Sequence, residues 1–175
     1  MSKGLIKIVN GLVFIFLDIH LGIFSFSTDA VPDFIGYIFV AQGCKILYEK
    51  MGKEGLKLAS ILAILLAVLD IVTICLPLVP GFQHEHLLSI IILLLHVAGY
   101  TFFNESMDVE GYRKDIGRMA SLSLLAFSFL AVFRQFREVQ LYEILMLLVG
   151  ITVLMTGFTW FVSLNKLRRK YEAMK

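Results

Sequence analysis

The stretch Leu56–Leu78, LKLASILAILLAVLDIVTICLPL, decides the fold. Lys57, Ser60, Asp70 and Thr73 are its main polar interruptions, and Pro77 and Pro80 mark its end. A helix that crosses a bilayer needs about 20 mostly apolar residues, and this run is that long. Working outward, five more runs share the pattern, at about 5–24, 32–48, 87–104, 116–133 and 141–164. Pro32 opens the second of these in chain order, and proline suits a first helical turn because no backbone donor is lost there. The whole chain agrees: its 175 residues are 58% hydrophobic and 17% charged, with mean hydropathy +0.83. Soluble domains are nearer 45–50% apolar and about 25% charged. Six spans use roughly 120 residues, which leaves room for loops and tails but not for a soluble domain. The expected fold is all-α: a polytopic six-transmembrane-helix bundle, one membrane domain over 1–175.

Loop charge sets the expected orientation. Lys3 and Lys7, then Lys45, Lys50, Lys53 and Lys57, then Arg113, Lys114 and Arg118, then a basic tail from Lys166 to Lys175 place fourteen basic residues on one side. Arg134 and Arg137 are the two on the other side. Cytoplasmic loops carry the excess of Lys and Arg, so both termini are expected in the cytoplasm. Basic residues before an apolar run also begin a signal peptide, but no A-x-A-like site follows, Ser25-Phe26-Ser27 being a poor imitation. The hairpins formed by helices 1–2, 3–4 and 5–6 have similar lengths, and Leu17-Asp18-Ile19 and Leu69-Asp70-Ile71 fall at matching depths, a pattern open to duplication or to chance. With no Lys/Arg stripe interleaved with aromatics, nucleic acid is not an expected partner.

Ionisable groups inside a span cost about 2.5–3.5 kcal/mol at the bilayer centre, so they are expected to face the bundle interior. Asp18, Asp70 and His96 are the three that stand out. At about 100° per residue, Asp70 lies close to the stripe Ala59, Ala63, Ala67, where a second helix can approach closely. Asp18 shares a face with Gly11, Phe14 and Gly22, with His20 about 200° round from it. Ser89, His96, Tyr100 and Asn104 form a polar stripe along the fourth helix. Thr152, Thr156, Thr159 and Ser163 form one along the sixth, with Gly150 and Gly157 on the opposite face. Two readings stand side by side. These groups line an intramembrane pocket that holds a cation, a proton or a polar solute, or they hydrogen-bond across the bundle as packing glue, with Thr and Ser satisfied on the i−4 carbonyl.

A second cluster is expected on the outer surface: Asp29, Asp33, His84, Glu85 and His86, with Arg134 and Arg137 near enough to pair with the acids. Its spacing is not the H-E-x-x-H of a zinc helix, and a solvated loop accounts for it without a metal. Cys44 and Cys75 lie in no CxxC or CxxH pattern and are expected as free thiols packed as small apolar groups. Trp160, near the inner end of the sixth helix, reads as an interfacial anchor. No nucleophile–base arrangement, phosphate loop or Gly-x-Ser-x-Gly is present, so no catalytic residue, cofactor or enzymatic activity is expected.

The stretch Asp29-Ala-Val-Pro-Asp-Phe-Ile-Gly-Tyr-Ile-Phe-Val-Ala-Gln-Gly43, after a helix containing Leu17-Asp18-Ile19, resembles small multi-pass membrane proteins of Gram-positive bacteria that carry a Pro-Asp-Phe-Ile-Gly-Tyr hairpin. It covers about the first quarter of the chain and implies a bacterial plasma membrane. Length and helix count are also similar to the substrate-binding subunits of energy-coupling-factor vitamin transporters. Their first helix carries Ala-x-x-x-Ala, and here Gly11 and Gly22 stand instead. The leading expectation is a non-enzymatic protein of the lipid bilayer that binds or conducts a small solute or ion. The alternative is an interaction protein whose Gly and Ala faces bind another membrane protein or a second copy.

Overall fold

The computed structural model describes residues 1–21, 33–75, 85–132 and 140–174; side chains at 16–21, 74–75, 85–87, 89, 128, 131–132 and 140–141 lie outside that description. The described residues form six helices and no strand: α1 (Ser2–Leu21), α2 (Asp33–Met51), α3 (Glu54–Cys75), α4 (Glu85–Ser106), α5 (Lys114–Val132) and α6 (Gln140–Ala173). Among the described residues, two stretches, 54–73 of α3 and 142–173 of α6, are long and apolar enough to cross a membrane. The helices overrun the expected limits chiefly at the basic end of the bundle, where charged residues continue the helix beyond the apolar run. The basic tail is the last part of α6, and the expected charged loop 49–55 shrinks to Gly52 and Lys53. Gly52, at φ +64°, stops α2 in the left-handed conformation a Cβ disfavours, and its N–H donates to Tyr48 O at 2.8 Å.

Each helix packs on the next, and α6 returns to α1, so the six close a ring. The α1–α2 seam is made by glycine. Gly11 and Gly36 face each other, as do Gly4 and Gly43, seven residues along each antiparallel helix. A Cβ built on Gly11 would lie 2.5 Å from Gly36 O, and one on Gly43 would lie 2.7 Å from Gly4 O. Bare backbone at both points therefore lets the two helices touch. On α3, Ala59, Ala63 and Ala67 are buried, and Ser60 donates to Ala41 O of α2 at 2.9 Å. The opposite side of α3 exposes Ile61, Ile64, Leu65, Val68 and Val72. The main core sits toward the basic end, where Leu5, Ile8 and Leu12 of α1 meet Leu47, Leu56, Phe103, Met107, Trp160, Leu164 and Leu167. Cys44 belongs to it as a buried free thiol; the Cys75 side chain is outside the described residues.

Candidate ligand cavity between the helices

Away from the basic end the ring does not close on itself. A cavity of about 590 Å³ lies between α2, α4, α5 and α6, with Ile15 of α1 at its edge. It runs from Leu93 to Asn104 along α4, about 16 Å at the helical rise of 1.5 Å per residue. Protein interiors rarely hold voids larger than a water molecule, whereas this one has room for about twenty waters at their liquid volume.

One wall is polar. His96, Tyr100 and Asn104 recur every four residues on α4 and all line the cavity, as the helical spacing predicts. His96 is held at both nitrogens. Nδ1 lies 3.0 Å from Ile92 O, which can only accept, so Nδ1 carries the proton. In the neutral ring Nε2 then accepts from Tyr37 Oη at 2.7 Å. Tyr37 sits four residues after Asp33 on α2, and both line the cavity. Tyr100 sits between His96, tilted against it at 6.2 Å, and Trp160, edge-on at 5.2 Å between ring centroids. Its hydroxyl makes no hydrogen bond to any described residue.

A closed hydrogen-bond network forms the floor toward the basic end. Trp160 Nε1 donates to Tyr112 Oη at 2.9 Å, and Tyr112 Oη donates to Asn104 Oδ1. Asn104 Nδ2 donates to Gly117 O at 3.0 Å and to Ser121 Oγ at 3.1 Å, and Ser121 Oγ donates to Gly117 O at 3.1 Å. Gly117 is required there, because a Cβ would overlap Asn104 Oδ1. Burial pushes the Tyr112 phenol up, so it stays a donor. Behind the floor a second cavity of about 240 Å³ also touches Asn104 and Ser121 and reaches Glu105 and Arg118. The Arg118 guanidinium grips Glu105 at 2.5 and 2.7 Å and holds its carboxyl below the usual range.

The remaining wall, on α5 and α6, is apolar: Leu124, Phe127, Leu147, Ile151 and Leu154, with Gly150 and Gly157 widening it. Leu147 lines the cavity and yet is 65% exposed, and Ile151 and Leu154 are 46% and 43% exposed. The cavity therefore reaches the bundle surface along α6.

The expected site residues divide. His96, Tyr100 and Asn104 come together. Asp33, expected with the outer loops, lines the cavity instead, because the first turn of α2 points it inward. Asp70 is not in the cavity wall: its Oδ2 accepts from Phe34 N at 2.8 Å, where the open N–H groups of α2 need an acceptor. The Asp18 side chain lies outside the described residues. Thr152, Thr156 and Thr159 turn away from the cavity and donate to the carbonyls four residues back at 2.9, 2.8 and 2.7 Å. Thr156 also meets Ser123 Oγ of α5 at 2.8 Å. It is the opposite, glycine face of α6 that lines the cavity. Asp29, His84, Arg134 and Arg137 are outside the described residues, and Glu85 and His86 are described only as the first turn of α4. Among the described residues no three His, Cys, Asp or Glu gather as a metal site. Trp160 is not an interfacial anchor: it is 3% exposed, with its N–H spent on Tyr112. Tyr37, Ser121 and Trp160 escape sequence reasoning as cavity residues. For Tyr37 a signal existed, its i, i+4 register with Asp33. No protein-family model matches the chain, nor does any curated protein or solved structure.

Proposed function

We propose that this chain is an integral membrane protein, with six spans and both termini in the cytoplasm, that binds a small, largely apolar solute in the cavity between α2, α4, α5 and α6. The 590 Å³ cavity carries the reading. Small-molecule sites are clefts of roughly 300–1,000 Å³, mostly apolar, with a few convergent polar groups. Here Asp33, Tyr37, His96, Tyr100 and Asn104 are those groups. The large apolar side chains exposed on α3 and α6, with His96, Tyr100 and Asn104 of α4 turned inward, support the bilayer as solvent. Fourteen basic residues against two support the orientation, and the Pro-Asp-Phe-Ile-Gly-Tyr hairpin supports a bacterial plasma membrane. On the α1–α2 seam and on α3, the small-residue faces that the interaction reading would use meet neighbours within the chain: Gly11 meets α2, and Ala59, Ala63 and Ala67 are buried, which favours the binding reading.

Two measurements test this. Single cysteines at positions 27, 84 and 138 should label from outside the cell, and those at 52 and 110 should not; the reverse pattern overturns the orientation. A photoreactive phenylalanine analogue replacing Leu124, in the cavity wall, should capture in living cells one adduct of discrete mass. The same group at Leu148, which is 55% exposed, should capture bulk lipid. Identical lipid adducts at both positions overturn the binding reading.

A further inference from the structure

The polar wall of the large cavity has spent most of its hydrogen bonds inside the chain. His96 is used at both nitrogens, on Ile92 O and Tyr37 Oη, and the Tyr37 proton goes to His96. Both Asn104 amide protons go to Gly117 O and Ser121 Oγ, and its oxygen accepts from Tyr112. Trp160 Nε1 donates to Tyr112, and Ser121 Oγ donates to Gly117 O. Asp33 also interacts within the chain. Among the described wall residues, the Tyr100 hydroxyl is the side-chain donor left over. It stands one helical turn from His96 and one from Asn104, midway along the polar wall. The rest of the lining, Leu124, Leu147, Ile151 and Leu154 among it, is apolar. Leu147, Ile151 and Leu154 belong both to this wall and to the exposed apolar exterior, so the cavity meets the surroundings that an oil-soluble molecule prefers.

We infer that the ligand is an uncharged, lipid-soluble molecule with an apolar body and one oxygen, a hydroxyl or a carbonyl, that accepts a hydrogen bond from Tyr100. This rests on the binding function proposed above and adds the ligand class and the residue that selects it. A cavity of about 590 Å³ takes a body of about twenty non-hydrogen atoms, each given the roughly 30 Å³ of a water. An ion fits the wall poorly, because desolvating a charge costs far more than one neutral hydrogen bond returns. Among the described residues no Lys or Arg lines the cavity to balance an anion.

Trp160 is the chain's one tryptophan and sits in the cavity wall at 3% exposure, so a bromine inside the cavity quenches it while bromine in bulk lipid is held away. The full-length protein in nanodiscs of zwitterionic lipid is titrated with four probes that share one apolar chain, brominated at its far end: bromoundecanol, bromoundecane, ionised bromoundecanoate and bromoundecyltrimethylammonium. The alcohol should quench saturably and bind about three- to tenfold tighter than the hydrocarbon, the net worth of a neutral hydrogen bond. The two ions should bind more weakly than the alcohol. Tyr100→Phe keeps the ring and removes only the hydroxyl, and a melting curve matching the wild type shows that it folds. In this variant the alcohol should fall to the affinity of the hydrocarbon, whose own affinity stays unchanged. Either ion binding more tightly than the alcohol overturns the uncharged class, and an unchanged ratio of alcohol to hydrocarbon in Tyr100→Phe overturns the role of Tyr100. The photo-crosslink at position 124 reads the cavity independently: a discrete adduct there without saturable quenching by the alcohol discards the ligand class and keeps the site, whereas no discrete adduct discards both.

Discussion

Glycine does opposite work on the two sides of this bundle. On the α1–α2 seam, Gly4, Gly11, Gly36 and Gly43 are crossing points: each leaves space that a partner backbone oxygen occupies. On α6, Gly150 leaves space that no described backbone enters, the nearest described neighbour to an added Cβ being Phe127 Cε2 at an ordinary 3.7 Å. In the bilayer proposed above, lipid tails are as apolar as leucine side chains, so close packing and hydrogen bonds would hold the helices together. The seam uses the first. Around the cavity the α4–α6 side packs less closely, and hydrogen bonds through Asn104, Tyr112, Trp160 and Ser121 close its floor. A rigid half and a hollow half result, and the hollow half is where a ligand fits.

The widest separation between the halves should come from the same substitution made in each. Gly11→Ala puts a Cβ 2.5 Å from Gly36 O and 2.8 Å from Val40 Cγ2. The helices must then part, at a cost of about 1–3 kcal/mol for overpacking. Gly150→Ala meets ordinary van der Waals distance and gains up to about 1 kcal/mol of helix propensity. Thermal melting in detergent should show Gly11→Ala well below the wild type and Gly150→Ala at or above it. Equal losses in both would mean that the α6 face is packed and the cavity is not a feature of the folded chain.

Most of the helical plan was legible because apolar run length and punctuation are local properties. Pro32 and the gap between the second and third apolar runs marked helix ends that the structure places within a few residues, while Pro77 lies outside the described residues. The α4 stripe was legible for the same reason: His96, Tyr100 and Asn104 are on one face of any helix, whatever surrounds it. Which face of α6 turns inward was not. Its threonine and glycine faces both look like interior faces, since threonine suits hydrogen bonds and glycine suits close approach. The threonines settle on the carbonyls four residues back in their own helix, and that option cannot be weighed without the neighbours. Asp70 escaped for a related reason. A carboxylate in an apolar run signals that a partner exists, but not that the partner is the start of another helix.

That partner sets the smallest and most informative test. Asp70 lies at the end of the seam side far from the basic loops, where it accepts from Phe34 N at 2.8 Å in the first turn of α2. The open N–H groups of a helix start carry partial positive charge, so an oxygen acceptor there is favourable even without full ionisation. Asp70→Asn keeps an oxygen at the same reach and should melt close to the wild type. Asp70→Ala removes it and should lose about 0.5–2 kcal/mol, the usual worth of a capping acceptor. Both are read in the same detergent melts as the glycine variants, and the loss should stay below that of Gly11→Ala, because a hydrogen bond at a helix end can be partly replaced and a backbone crossing cannot. The pair separates structure from function at one residue. If Asp70→Asn melts normally but loses the discrete adduct captured at position 124, Asp70 belongs to the binding site and the division between a rigid and a hollow half is drawn in the wrong place. If Asn and Ala lose stability equally, the negative charge itself holds α2 to α3, and the seam side is held by electrostatics as well as by contact.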